Sequence, residues 1–256
     1  MSSSDPATLA GSGNVGRMFA AQAQRRPCDI ALACDDATLS YSQLNARVNR
    51  LAQVMLAQGT GRGDRVGLLA RNCLSFIEVE LAAAKIGAIT VSLNWRLSPV
   101  ELRHCLQLTE PRIIFAQAGY VEHLDQTGLS GTNRLVFGDD YEAALAKAPA
   151  TEPRAGGAGH AGGEDGLVII FTSGTTGLPK GALISHRAMI ARGMIYGAET
   201  GAPAKDTFVA WTPLFHMGAN DFALATLLRG GKVIIVDGYQ PVVLINAIKT
   251  ENIHCQ

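Results

Sequence analysis

The sequence lacks several features that would each mark a class of protein. It has no basic stretch followed by an apolar one after Met1, so no secretory leader is expected there. It has no run of about 18 apolar residues, the length a membrane helix needs. The most apolar long stretch, Val66 to Leu93, is interrupted by Arg71, Glu78, Glu80 and Lys85. Neither charge is in excess, since 22 Lys plus Arg balance 22 Asp plus Glu. Nothing here suggests the clustered basic footprint of a nucleic-acid binder or of an anionic-membrane surface. The five cysteines (Cys28, Cys34, Cys73, Cys105, Cys255) are odd in number and form no Cys-x-x-Cys pair. They read as free thiols in a reducing cytoplasm, not as a disulfide framework or a zinc site. The expectation is a cytoplasmic chain with no nucleic-acid partner, no integral membrane segment and no metal site of its own.

What the sequence does have is apolar content and a regular alternation of periods. Of its 256 residues 47% are hydrophobic, ample for a sizeable core. Ser40 and Gln43 make a capping box, and Leu44, Val48, Leu51 and Met55 follow on one helical face. Arg65 to Ala70 reads as a buried strand, Leu74 to Ile86 as a largely apolar helix ended by Gly87, and Ala88 to Leu93 as a strand. Ser98-Pro99-x-Glu101 starts another helix, which Pro111 closes, and Arg112 to Ala116 is again a strand. Further along, the pattern predicts strands at 167–171, 182–184, 207–211 and 233–236, with helices from about His186, over 222–228 and near 242–249. Strands alternating with amphipathic helices imply an α/β fold with mainly parallel sheets covered by helices.

The organisation expected along the chain has three parts. Residues 1–150 form a first α/β region, and 151–164, rich in Gly and Ala, form a link. Residues 165–256 form a second α/β region. The last residues, Ile253-His254-Cys255-Gln256, look like the opening of a strand with nothing to cover it, so the chain reads as a fragment.

One segment carries most of the chemical information: Phe171-Thr-Ser-Gly-Thr-Thr-Gly-Leu-Pro-Lys-Gly181. A buried strand runs into a loop dense in glycine and hydroxyls, with one cation. Gly174, Gly177 and Gly181 permit close backbone approach and positive φ. Thr172, Ser173, Thr175 and Thr176 supply hydroxyls, and Lys180 supplies charge. That set suits the oxygens of a polyphosphate. The spacing is not that of a Walker A loop, because two residues separate Gly174 from Gly177 and Lys180 precedes Gly181. Nor is it a nucleophile elbow, since Phe171 and Thr175 stand where glycines flanking Ser173 would be needed. A solvent-exposed flexible loop is the competing explanation of the composition alone.

These residues resemble, position by position over 172–181, the signature phosphate loop of the adenylate-forming superfamily of acyl-CoA synthetases, adenylation domains and luciferases. Other blocks resemble that family in its own order. Leu39 to Ala52 is similar to its first helix. Ser92-Leu-Asn-Trp-Arg-Leu-Ser98 is similar to its N-x-R-L segment. Ser185-His-Arg187 is similar to the sequence after the loop, and Pro213-Leu-Phe-His216 to its acyl-pocket motif. The resemblance covers nearly the whole chain from about residue 15.

The resemblance implies an ATP-dependent acid–thiol ligase. A fatty or aryl carboxylate attacks the α-phosphorus of ATP to give acyl-AMP and pyrophosphate, and a thiol, that of coenzyme A, then displaces AMP. It implies that Thr172, Ser173, Gly174, Thr175, Thr176, Gly177 and Lys180 bind the ATP phosphates. It implies that His216 lines or gates the acyl pocket, a place where a lone histidine would otherwise be read as structural. Magnesium is implied with ligands mostly outside this chain. No catalytic residue is assigned, and His186, at a helix start, is expected to be structural. The family's later motifs have no match here: an aromatic-Gly-x-Thr-Glu segment, a ribose-binding aspartate and a C-terminal-domain lysine. The chain alone is therefore expected not to catalyse adenylation. Two alternatives stand beside this reading. One is an amino-acid adenylation domain, with Asp221 as a polar pocket residue. The other is a non-catalytic nucleotide-binding fragment.

Overall fold

The computed structural model describes residues 13–153, 161–172 and 177–254. Its elements arise where local signals placed them. Helix α1 (Val15–Arg25) is capped by Asn14, whose side chain accepts from the Arg17 N–H. Strands β1 (Ile30–Cys34) and β2 (Ala37–Ser40) lead into α2 (Tyr41–Ala57), whose Ser40/Gln43 capping box is complete. Strand β3 (Arg65–Leu69) precedes α3 (Leu74–Ile86), which Gly87 ends in the left-handed conformation at φ +75°. Next come β4 (Ile89–Ser92), α4 (Pro99–Thr109), β5 (Ile113–Gln117) and α5 (Val121–Asp125). Then follow β6 (Asn133–Phe137), α6 (Asp139–Lys147), β7 (Gly166–Thr172), β8 (Lys180–Ser185) and α7 (His186–Thr200). The described part ends with β9 (Thr207–Ala210), α8 (Met217–Leu228), β10 (Lys232–Ile235) and α9 (Pro241–Thr250).

Two sheets result. The larger has the order β6-β5-β3-β4-β7-β8 and is parallel except for β8, which returns antiparallel to β7. The smaller has the order β2-β1-β10-β9, with only the β1–β2 pair antiparallel. The α/β class with mainly parallel, helix-covered sheets is therefore observed.

The sheets do not follow the division at 151–164. β7 and β8 extend the sheet begun by β3 to β6, while β1 and β2 wait for β9 and β10 from the far side of that segment. The physical reason is burial. Helix α3 is buried along almost its whole length and touches β1 of one sheet and β3, β4 and β7 of the other. An all-round apolar helix needs cover on every side, and residues before 150 supply only part of it. A single core cluster accordingly runs from Val15 and Leu32 through Phe76 and Val79 to Leu224 and Val233.

Candidate functional site

In parallel sheets, ligands bind outside the carboxyl ends of the strands. Here the carboxyl ends of both sheets meet, and Asn72, just past β3, joins them. The two N–H groups of its Nδ2 are shared among the carbonyls of Ala210 (3.1 Å), Thr212 (2.8 Å) and Val236 (3.1 Å), which follow or end β9 and β10. Its Oδ1 accepts from the Leu214 N–H at 2.8 Å. One buried amide thus fixes the segment that leads to His216. No sequence signal marked Asn72, because its partners lie 138 to 164 residues away.

The phosphate-loop candidate is the turn between β7 and β8. Ser173, Gly174, Thr175 and Thr176 lie outside the described residues. Of the rest, Thr172 ends β7 and pairs with Lys180, the first residue of β8, and both are exposed. The Thr172 hydroxyl donates to the Lys180 carbonyl at 3.4 Å. Gly177 has φ +145°, a conformation that side chains rarely adopt. Gly181 does not belong to the loop as its composition suggested. It sits within β8 opposite Phe171, and a Cβ there would meet Ile169 Cγ2 at 3.0 Å, so its role is packing between strands.

The segment after β4 carries Trp95 and Arg96. The Trp95 ring lies 5.1 Å from the Arg71 guanidinium carbon and 4.6 Å from that of Arg96. Its edge meets Phe215, with centroids 6.4 Å apart, and Phe215 packs against the His216 ring at 4.4 Å. His216 is exposed and occupies the N-cap of α8. Partial burial and then the Arg96 charge lower its pKa, which keeps the imidazole neutral at pH 7. Arg71 also forms an ion pair with Asp237 at 2.8 Å. Phe215 is buried core and Trp211 is 38% exposed, so of the two aromatics in this segment only Trp211 presents a substantial surface.

Helix α8 begins at Met217, five residues before the periodicity placed it. Gly218 and Asn220 are poor helix formers, and tertiary bonds compensate. The Asn220 side-chain amide donates to both oxygens of Glu80, at 2.8 and 2.9 Å. Glu80 is fully buried in α3, and burial raises its pKa to about 8, against the hydrogen bonds from Asn220. The folded protein therefore holds a proton there that the unfolded chain releases near its ordinary value of 4.5. Stability from this group is fully present below about pH 4.5 and is lost as pH rises through 8. Urea unfolding of wild type and Glu80→Gln at pH 6 and 9 checks this. The wild type should lose roughly 3 kcal/mol more than the variant over that interval, and parallel losses would refute the protonated carboxyl.

His186 is buried and structural, as expected from its place. It accepts at Nδ1 from the Val15 N–H at 3.2 Å, and burial lowers its pKa to about 4. Asp221 faces α7, where Arg192 Nε donates to it at 2.6 Å, beside a groove of about 270 Å³ lined also by Tyr196 and Phe222. Among the described residues no three His, Cys, Asp or Glu side chains converge as a metal site. Among the same residues no helix is long and apolar enough to cross a membrane.

The chain matches known proteins along most of its length. A family model described as AMP-binding enzyme matches residues 19–255. The medium/long-chain fatty-acid–CoA ligase FadD6 of Mycobacterium tuberculosis is 33% identical over 227 residues, which are 86% of this chain and 37% of that protein. A feruloyl-CoA synthase of Amycolatopsis sp is 30% identical over 235 residues, 91% of this chain and 46% of that protein. The inhibitor-bound N-terminal domain of FACL13 from M. tuberculosis superimposes with a TM-score of 0.85 at 28% identity, over 92% of this chain and 60% of that one. The chain thus spans less than half the length of these two curated relatives.

Proposed function

This chain belongs to the AMP-binding enzyme family, and from that premise we propose that it is part of an ATP-dependent ligase joining a fatty or aryl acid to coenzyme A. The observation that carries the reading is the meeting of two carboxyl edges. It sets Thr172, at the end of β7, beside the strand that leads to Trp95 and Arg96, and the Trp95 ring meets Phe215, which packs on His216. The chemistry needs little more from this part of the molecule than binding and alignment. A carboxylate is already ionised at neutral pH, so attack on the α-phosphorus requires no general base. The carboxylate oxygen bonds to phosphorus as the bond to pyrophosphate breaks. What slows this step is charge repulsion and misalignment, and the family uses N–H groups, hydroxyls and a cation against both. Thr172, Ser173, Gly174, Thr175, Thr176, Gly177 and Lys180 are assigned to the ATP phosphates. Magnesium, which screens phosphate charge when bound, is assigned ligands mostly outside this chain.

His216 is assigned to the acyl pocket. A neutral, exposed imidazole backed by Phe215 suits an uncharged fatty or aryl group better than a substrate ammonium. The alternative of an amino-acid substrate loses its candidate anchor, since Arg192 already occupies the Asp221 carboxylate. His216→Ala is expected to reorder a panel of acids by kcat/KM, with a melting temperature within about 2 °C of wild type. An unchanged ranking with a lowered melting temperature would make His216 structural. The function itself is tested by pyrophosphate release from the full-length protein across fatty and aryl acids. Release that no acid stimulates would refute it.

A further inference from the structure

We propose that His104 is a positioning residue for the phosphate loop, holding the Pro179–Lys180 peptide by donating a hydrogen bond from Nε2 to the Pro179 carbonyl. The inference rests on the reading of the 172–180 turn given above and adds a residue to it. His104 lies in α4, half-buried, and its Nε2 is 3.1 Å from the Pro179 oxygen. A carbonyl oxygen only accepts, so the ring proton sits on Nε2.

The bond matters because of what an anion site requires. A loop that receives phosphate oxygens must turn its N–H groups toward them and its carbonyls away. In a planar trans peptide the carbonyl and the following N–H point in opposite directions. Fixing the Pro179 oxygen toward α4 therefore fixes the Lys180 N–H away from α4, and with it the start of the Lys180 side chain. The next carbonyl is held as well, by the Thr172 hydroxyl at 3.4 Å. Two consecutive carbonyls at the foot of the turn thus have side-chain donors of their own, one of them from 75 residues earlier.

Helix α4 is a firm support for such a bond. Its Ser98/Glu101 capping box is complete, and Leu102, Cys105 and Leu106 anchor its other face in a core cluster with Phe171 of β7. The segment before it is held in a similar way, since His123 Nε2 lies 2.7 Å from the Leu97 carbonyl. Helix α4 therefore connects the Trp95–Arg96 segment at its start with the phosphate turn at its middle.

The test uses the full-length protein and four variants. His104→Phe keeps a ring of similar size without a donor, His104→Ala removes both, and His104→Gln places an amide N–H near the position of Nε2. Lys180→Ala reports on the turn itself. The measurements are kcat/KM for ATP and for the acid, with melting temperature alongside. His104→Phe and His104→Ala should lower kcat/KM for ATP about tenfold, the scale of one neutral hydrogen bond, and leave the KM for the acid unchanged. His104→Gln should return the ATP value to within about twofold of wild type. A fall for ATP in Lys180→Ala but not in His104→Phe would overturn the role of His104 and leave the loop assignment standing. ATP kinetics unmoved in every variant would overturn both. A loss shared equally between ATP and acid, with a lower melting temperature and no rescue by Gln, would reduce His104 to a packing residue.

Discussion

Changing Thr175 and Thr176 together to Ala should lower kcat/KM for ATP by at least about tenfold, and by as much as a hundredfold for each hydroxyl that meets a charged phosphate. The KM for the acid should stay within about twofold. The asymmetry is the informative part. Hydroxyls that bond phosphate oxygens act on ATP and have no partner on the acid, whereas hydroxyls that merely shape an exposed turn affect neither. The two threonines lie outside the described residues, so the expectation rests on chemistry and on the frame at either end. At one end Thr172 closes β7, and at the other Gly177 and Lys180 lead into β8. Steady-state kinetics of the double variant decide it. Unchanged ATP kinetics would remove the turn from the ATP site.

The second large effect is expected at Asn72. Asn72→Ala takes the side-chain partner from the Thr212 carbonyl and the Leu214 N–H, while the carbonyls of Ala210 and Val236 keep the N–H groups of Val236 and Gly238. Buried polar groups left unpaired cost about 1–3 kcal/mol each, partly relieved by relaxation, so a loss near 3 kcal/mol is expected. Asn72→Asp should be worse than Ala. It keeps the acceptor for Leu214 but turns a carboxylate oxygen toward three carbonyl oxygens, with no donor between them. Urea unfolding at pH 7 gives the order wild type, Ala, Asp from most to least stable. An Asp variant as stable as wild type would contradict the bonding pattern. Since the same amide sets the path to His216, acid-dependent turnover should fall in both variants by more than the unfolded fraction explains.

How much of this was legible beforehand follows from the range of the forces involved. The capping boxes at Ser40 and Ser98, the left-handed Gly87 and the helix from His186 depend on neighbours within four residues, and their positions held. The start of α8 was missed because Gly218 and Asn220 weaken local propensity, while the stabilising bond runs to Glu80, 140 residues away. The sheet order was hidden for the same reason. β10 inserts between β1 and β9, and no local pattern says which strand β1 pairs with. Within the site, Lys180 and His216 could be picked out through motif resemblance. Asn72 and His104 could not, because each acts through side-chain polar atoms on backbone far along the chain. Gly181 was misread because strand packing and ligand approach both favour a missing Cβ.

The central claim is that this sequence forms the phosphate- and acyl-binding part of an enzyme that joins an acid to AMP. It is tested most directly by exchange of labelled pyrophosphate into ATP, assayed on the full-length protein with and without a panel of fatty and aryl acids. Exchange runs the first step backwards and forwards and needs no thiol. The account predicts exchange only when an acid is present, with AMP as the nucleotide product once coenzyme A is added, and loss of exchange in Lys180→Ala. Exchange that no acid induces, or turnover of ATP to ADP and phosphate, would contradict it.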